Sequence, residues 1–394
     1  MLLKRALPLS LCLAAVLSAC AGGDALGPEG PGRSPPRSDR INPDPLPRSV
    51  RFVWFVPSDV PFDSATVAGI GRAAYNTRSW YRAQLDGVTF SFDEDFPVEV
   101  IFGKHTRNWY ETTLNPYGWD PIWNANYQVD MEVIQRLSVS NWSPLYKVAI
   151  YMSAEGGGGA SNGRLVVPQH DVDGLREGVL NINRWWGGLA HELAHAFDLP
   201  DASSDDGTIA SGALYRYPRA VITPELKARL LGSQRNEGFF AAAGPEFAPA
   251  AFYRIVNDET GLVAEGAQDG ADGAPVTGAR ALAAVTQHWR LEPGPNGTWR
   301  IRHRPTSRLL VVSGGSAASG ATLELRGEGQ TERDTWYVLA IGPAHHELVP
   351  AHTIVPNVRA QGLTVPPGAT AGSLLTQQDY VTAPRQSWRF EQVQ

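Results

Sequence analysis

The period of the hydrophobic positions divides the chain into two textures. Val50-Arg51-Phe52-Val53-Trp54-Phe55-Val56 is rich in β-branched and aromatic residues and predicts a buried strand. Asp63 or Ser64 then caps a helix in which Val67, Ile70, Ala74, Trp80 or Tyr81, and Leu85 recur at helical spacing until Gly87. Thr89 to Phe92, Val98 to Phe102 and Lys147 to Met152 predict further strands. Asp120-Pro121 opens a second helix with Ile122, Val129, Val133 and Leu137 on one face. Trp185 to Phe197 predicts a third, and Thr223-Pro224 begins a short fourth through Leu231. Strands alternating with helices predict an α/β domain. From about Phe252 the helical period vanishes and short apolar strands with Gly and Pro turns run on, so a boundary falls near Gly244 to Ala251.

Composition fits this division. At 394 residues, 43% hydrophobic and 19% charged, the chain has room for two folded units, and 40 Gly with 30 Pro supply turns and a linker. A formal charge of -6 argues against a sequence-independent grip on nucleic acid. Lys4 and Arg5 precede the apolar stretch Ala6 to Val16, which reads as a secretory leader too short to span a bilayer. It ends in Leu17-Ser18-Ala19-Cys20, which resembles the lipobox of bacterial lipoproteins. The resemblance implies a signal peptide over residues 1–19, a lipid on Cys20 as the membrane contact, and, with Ala21 next, an outer-membrane or cell-surface location. Cys12 lies inside the leader, so no disulfide is expected in the mature chain. Residues 20–48, with Pro35-Pro36, Pro43, Pro45 and Pro47, read as a flexible tether.

Candidate chemistry concentrates in His191-Glu192-Leu193-Ala194-His195. On a helix, residues four apart share a face, so both imidazoles can meet one Zn²⁺ while Glu192 acts as general base toward a zinc-activated water. A catalytic zinc also needs a third protein ligand and an open position. Asp201 stands six residues after His195, and the run resembles the extended zinc motif of the metzincin metallopeptidases in its variant ending in aspartate. The resemblance implies His191, His195 and Asp201 as ligands and Glu192 as the base. Two departures stand out: Asp198 occupies the place of the family's turn glycine, and Met1, Met131 and Met152 all precede the motif, leaving Ile209 to Tyr217 without the family's methionine. Glu225 or Glu237 is the alternative third ligand, as in gluzincins. Tyr215 or Tyr217 could stabilise an oxyanion, although a plain core or surface tyrosine is the favoured reading. Gly156 to Gly159 reads as a turn or as an edge for a peptide backbone. His170-Asp171-Val172-Asp173 could hold a structural metal, although a solvated polar loop is the favoured reading, and Trp109, Trp119, Trp123, Trp142, Trp185 and Trp186 read as core and cleft wall.

Repeats decide the second part. Trp289, Trp336 and Trp388 recur 47 and 52 residues apart, two of them within Gln287-His288-Trp289 and Gln386-Ser387-Trp388. Three such units resemble the ricin-type β-trefoil with its QxW repeats. The family's sugar-contacting aspartate falls by position at Glu265, Val311 and Thr364, so no carbohydrate-binding residue is assigned.

The expectation is a multidomain chain: an α/β (α+β) metzincin-like zinc metallopeptidase domain over residues 49–245, followed by an all-β ricin B-type β-trefoil over 250–394. Its expected function is that of an exported, lipid-anchored zinc metalloendopeptidase, a hydrolase that cuts a protein or peptide substrate while the trefoil aids substrate or glycan targeting. The alternative is a catalytically inactive surface lipoprotein that binds carbohydrate or protein. His, His and carboxylate suit other divalent ions besides Zn²⁺.

Overall fold

In the computed structural model, the described residues are 37–176, 182–202, 204–329, 331–355 and 358–393. The leader, Cys20 and the tether as far as residue 36 lie outside them. Residues 38–394 form one compact unit.

Strand β1 (Ser49–Val56) is buried along its whole length because both faces are covered. It lies between β3 (Glu99–Phe102) and β4 (Tyr146–Met152), parallel to both, and β6 (Arg164–Val167) continues the parallel sheet. β5 (Gly159–Ser161) closes the edge in the antiparallel sense. On one face Phe52, Trp54 and Val56 meet α1 (Ser64–Gln84), α4 (Gln169–Arg176) and α5 (Ile182–Ala196). On the other, Val53 and Phe55 meet Tyr110 of α2 (Arg107–Thr112) and Val129 and Val133 of α3 (Asn124–Leu137). Asp63 caps α1 by accepting from the Ala65 amide, and Gly87 beyond its end has φ +86. Helix α6 (Pro224–Gly232) is capped by Thr223, and β7 (Phe240–Ala242) returns to pair with β2 (Val88–Phe90).

Two expectations need correction here. The tether does not extend to Arg48 as a free segment. Arg40 exchanges backbone hydrogen bonds with Val100, and the Asn42 amide donates to Glu99, itself held by the buried Arg51 guanidinium at 2.6 Å. These polar contacts dock residues 39–42 on the β3 edge without any apolar period to announce them. His170-Asp171-Val172-Asp173 is no solvated loop either, since it lies in α4 with Asp171 buried and paired to His170 and Arg184.

The second part holds three units of like design. In the first, β8 (Phe252–Asn257), β9 (Val263–Glu265), β11 (Thr277–Ala279) and β12 (Trp289–Pro293) follow one another, with the short β10 (Ala274–Pro275) between. β13 (Trp299–His303), β14 (Leu309–Val312), β15 (Leu323–Arg326) and β16 (Trp336–Gly342) form the second. β17 (His345–Pro350), β18 (Gln361–Thr364), β19 (Thr376–Asp379) and β20 (Ser387–Val393) form the third. The outer strands of each unit pair in a closed ring, β8-β12-β13-β16-β17-β20 and back to β8, while each inner pair forms a hairpin. This is a β-trefoil. The repeated tryptophans serve one purpose three times: the indoles of Trp289, Trp336 and Trp388 donate to the carbonyls of Ala264, Leu310 and Leu363 at 2.9, 2.7 and 3.0 Å. Each thereby ties the ring to a hairpin while filling the axis.

β16 joins the domains. Its Trp336 and Val338 face the barrel interior, whereas Tyr337 and Leu339 enter the core of the first domain, as does Tyr380, whose ring meets Trp186 of α5 edge-on. Arg82 of α1 adds hydrogen bonds to the carbonyls of Ala243, Gly244 and Pro245 and to Glu246. Among the described residues no helix is long and apolar enough to cross a membrane.

Trp388→Phe leaves the Leu363 carbonyl without its donor and a gap beside it, so urea denaturation is expected to show a loss of about 2–4 kcal/mol. Glu347, buried in β17 with the Tyr380 hydroxyl donating to it, is pushed up to about 7 by burial. The unfolded chain then binds fewer protons than the folded one between roughly pH 4.5 and 7, so stability falls as pH rises through that window, by about 1.4 kcal/mol per unit. Glu347→Gln is expected to make this decline shallower when chemical denaturation is followed at pH 5 and 8.

Candidate functional site

Helix α5 carries its apolar residues Trp186, Leu189, Ala190, Leu193, Ala194 and Phe197 into the core, which leaves His191, Glu192 and His195 on the face toward the cleft. Beneath it runs the segment 209–217. It comes so close that a Cβ on Gly187 would stand 2.1 Å from the Leu214 carbonyl oxygen. That segment orients the first imidazole: His191 Nδ1 donates to the Ile209 carbonyl at 2.6 Å. His195 Nδ1 donates likewise to the Leu199 carbonyl at 2.8 Å. With both Nδ1 atoms facing acceptors, each neutral ring carries its proton there and presents a lone pair at Nε2.

The two Nε2 atoms lie 3.1 Å apart, and Asp201 Oδ1 stands 3.0 Å from His195 Nε2 and 3.9 Å from His191 Nε2. Three acceptors therefore converge where a cation or a proton satisfies all of them. Among the described residues this is the one group of three or more such side chains whose ligand atoms lie within 4.8 Å of one another. Glu225 and Glu237 are exposed and stand apart from it. Burial holds the His191 imidazole below its usual pKa, against the upward pull of the Ile209 carbonyl. Glu192, half-buried beside them, is pushed up to about 7 by burial and then by the charges of Asp171 and Asp201.

The exit from α5 explains how Asp201 returns. Asp198 has φ 70°, the left-handed conformation in which a glycine is the usual occupant. Its carboxylate accepts from Arg235 at 2.6 Å and from Ser233 at 3.0 Å, and the guanidinium of Arg235 lies 4.1 Å over the Trp142 ring. Asn236, buried, donates to the carbonyls of Phe197 and Leu230, so it satisfies the helix end as well. Lys147 donates from below to the Arg235 carbonyl, and burial pushes its ammonium down to about 8. Ser233, Arg235 and Asn236 were not singled out from the sequence, because they lie more than thirty residues from the turn they hold, as with the separation of 35 between Ser233 and Asp198.

The cleft in front of these residues has a volume of about 640 Å³ and is walled by Trp123, Trp142, Gly158 to Asn162, Pro200 and Arg229. A Cβ on Gly158 would stand 3.8 Å from Glu192 Oε1, so the Gly156 to Gly159 run brings bare backbone up to the carboxylate. Tyr217 is buried with its hydroxyl on Asn76, and Tyr215 lies at the surface over Arg184, the plain readings of both. In the trefoil, Glu265 accepts from Thr286 and Gln287, Val311 is core, and Thr364 accepts from Gln386. The glutamine of the QxW pattern thus holds its own hairpin.

Asp198→Ala leaves alanine in the left-handed region and removes the bonds to Arg235 and Ser233, whereas Asp198→Gly loses only those two bonds. Urea midpoints are expected to place the glycine variant about 1 kcal/mol above the alanine variant.

Comparison with known proteins gives the following. Residues 246–326 match the family described as ricin-type beta-trefoil lectin domain-like. No curated protein matches the chain. Among solved structures, the designed three-fold symmetric protein ThreeFoil is 22% identical, with 36% of this chain and 99% of that one covered and a TM-score of 0.34. The ricin B-like lectin of Macrolepiota procera, solved with lactose, is 15% identical over 38% of this chain and 100% of its own, with a TM-score of 0.31. An exo-β-1,3-galactanase from Clostridium thermocellum is 19% identical over 39% of this chain and only 33% of its own, with a TM-score of 0.34. The chain therefore carries a C-terminal ricin-type β-trefoil lectin-like domain behind a mixed α/β domain.

Proposed function

We propose that the chain is a zinc metalloendopeptidase of metzincin type, exported and held at the outer membrane or cell surface by a lipid on Cys20, whose trefoil binds carbohydrate on or near its substrate. The observation that carries this reading is the convergence of His191, His195 and Asp201, each histidine fixed through Nδ1, with Glu192 beside them. These three residues would hold the metal. When bound, Zn²⁺ would supply Lewis acidity, lowering the pKa of water and polarising the scissile carbonyl. Glu192 takes the proton of the attacking water and returns it to the leaving amine. The backbone at Gly158 leaves room for the extended substrate next to that carboxylate, and Trp123 and Trp142 line the cleft beside it.

The family match at residues 246–326 favours a second reading, in which the chain is a catalytically inactive surface lipoprotein that binds carbohydrate or protein. One experiment separates the two. Metal content and peptide hydrolysis are measured on a soluble chain beginning at Ser38, with Asp201→Ala and Glu192→Ala beside it. The enzyme reading expects one zinc per wild-type chain, much weaker retention in Asp201→Ala, and retention with at least a roughly hundred-fold loss of cleavage in Glu192→Ala. A wild type that takes up no zinc and cleaves nothing, while binding a glycan array, leaves the second reading standing.

A further inference from the structure

The loop between α2 and α3 carries an exposed apolar surface and leads into Trp123 of the cleft wall. Tyr117 and Trp119 stack with centroids 4.8 Å apart and planes 24° off parallel, although they are 65% and 52% exposed. Leu114 and Ile122 beside them are 75% and 51% exposed. Rings left in water ordinarily turn inward or move freely, yet this loop is held in place. Buried Asn115 accepts from the amides of Tyr117 and Trp119, and its Nδ2 donates to the Trp119 carbonyl and to Asn124. Tyr127 meets both rings edge-on. Trp119 is thus neither core nor cleft wall, contrary to expectation.

The surface runs on into the candidate site. The Ile122 carbonyl accepts from the Gly157 amide at 3.1 Å, and the next residue, Trp123, lies on Gly157, where an added Cβ would meet its ring at 2.6 Å. Gly158 then stands against Glu192. A ligand reaching the carboxylate along the glycine run therefore passes Trp123, which follows Trp119 by four residues along the chain.

From this continuity we infer that Tyr117, Trp119 and Ile122 form an extended subsite for apolar side chains of a polypeptide, lying beyond the bond that is cut. The inference rests on the endopeptidase reading of the cleft. Charge narrows the occupant: the loop residues 108–123 contain no Lys or Arg and two acids, Glu111 and Asp120, while Asp130 and Glu132 further on are paired with Arg164 and Arg136. An anionic membrane surface is repelled by such a segment, and a neutral or basic peptide is not. The Asn115 and Asn124 amides are engaged within the loop, so the shelf presents mainly ring and aliphatic faces.

The test uses the chain from Ser38 carrying Glu192→Ala, so that nothing is cut, with and without Tyr117→Ala and Trp119→Ala together. The probe is a long fluorescein-labelled peptide containing Phe, Leu and Trp, and its partner has these replaced by Ser. Anisotropy is expected to show about ten-fold weaker binding of the apolar peptide to the double variant, with the Ser peptide unaffected. Trp119→Phe alone, which keeps a ring in the stack, is expected to retain most of the affinity. Equal affinity of parent and double variant for the apolar peptide, or no binding by either, overturns the inference. So does a double variant that loses only binding to phosphatidylglycerol vesicles or to a polysaccharide. A chain with Glu192 that hydrolyses no peptide, while the affinity loss is still seen, removes the endopeptidase reading and leaves the peptide shelf in place.

Discussion

The geometry of the cleft depends on one turn. At Asp198 the chain leaves α5 in a left-handed conformation, and only that reversal sends Pro200 and Asp201 back beneath the imidazoles. Glycine would take the conformation without strain, whereas aspartate needs compensation, which comes from the charges of Arg235, the hydroxyl of Ser233 and the amide of Asn236 on the helix end. The stretch after α6 is thus a structural part of the site although it contributes no group to the cleft's chemistry. A flexible exit would leave Asp201, 81% exposed, free to wander from the histidines.

Support for the two rings comes equally from backbone. The carbonyls of Ile209 and Leu199 fix which nitrogen bears the proton, so the tautomers follow from the path of the chain below and beyond α5. The segment 209–217 packs under the helix, with the Leu214 carbonyl against Gly187 and Ala213 buried.

What could be read from the residue pattern was whatever repeats locally. The four-residue spacing of His191 and His195, the apolar face of α5 and the recurring tryptophans each declare themselves within a few positions. Other features draw their energy from partners distant in sequence. Asp171 looks like a surface acid because its partner Arg184 lies a helix away, and residues 39–42 look free because hydrogen bonds from the β3 region, not apolar contacts, dock them. The clamp on Asp198 belongs to the same class. One departure did carry information that went unused: Trp289-Arg290-Leu291-Glu292 and Trp388-Arg389-Phe390-Glu391 alternate inward and outward, whereas Trp336-Tyr337-Val338-Leu339 is apolar on both faces. A strand of that kind has something covering its outer side, and here it is the first domain.

Burial of Tyr337, Leu339 and Tyr380 in the core of the first domain means that the trefoil does not trail on a leash. Two modules on a leash search a volume together, and the benefit of holding a target with one of them declines smoothly as the leash lengthens. Two modules fused through a core behave as the jaws of a calliper set to one opening. Under the proposed function, whatever the trefoil gripped would present to Glu192 only what lies at that fixed span. The spacing of anchoring groups along a target, more than their abundance, would decide which parts of it come within reach.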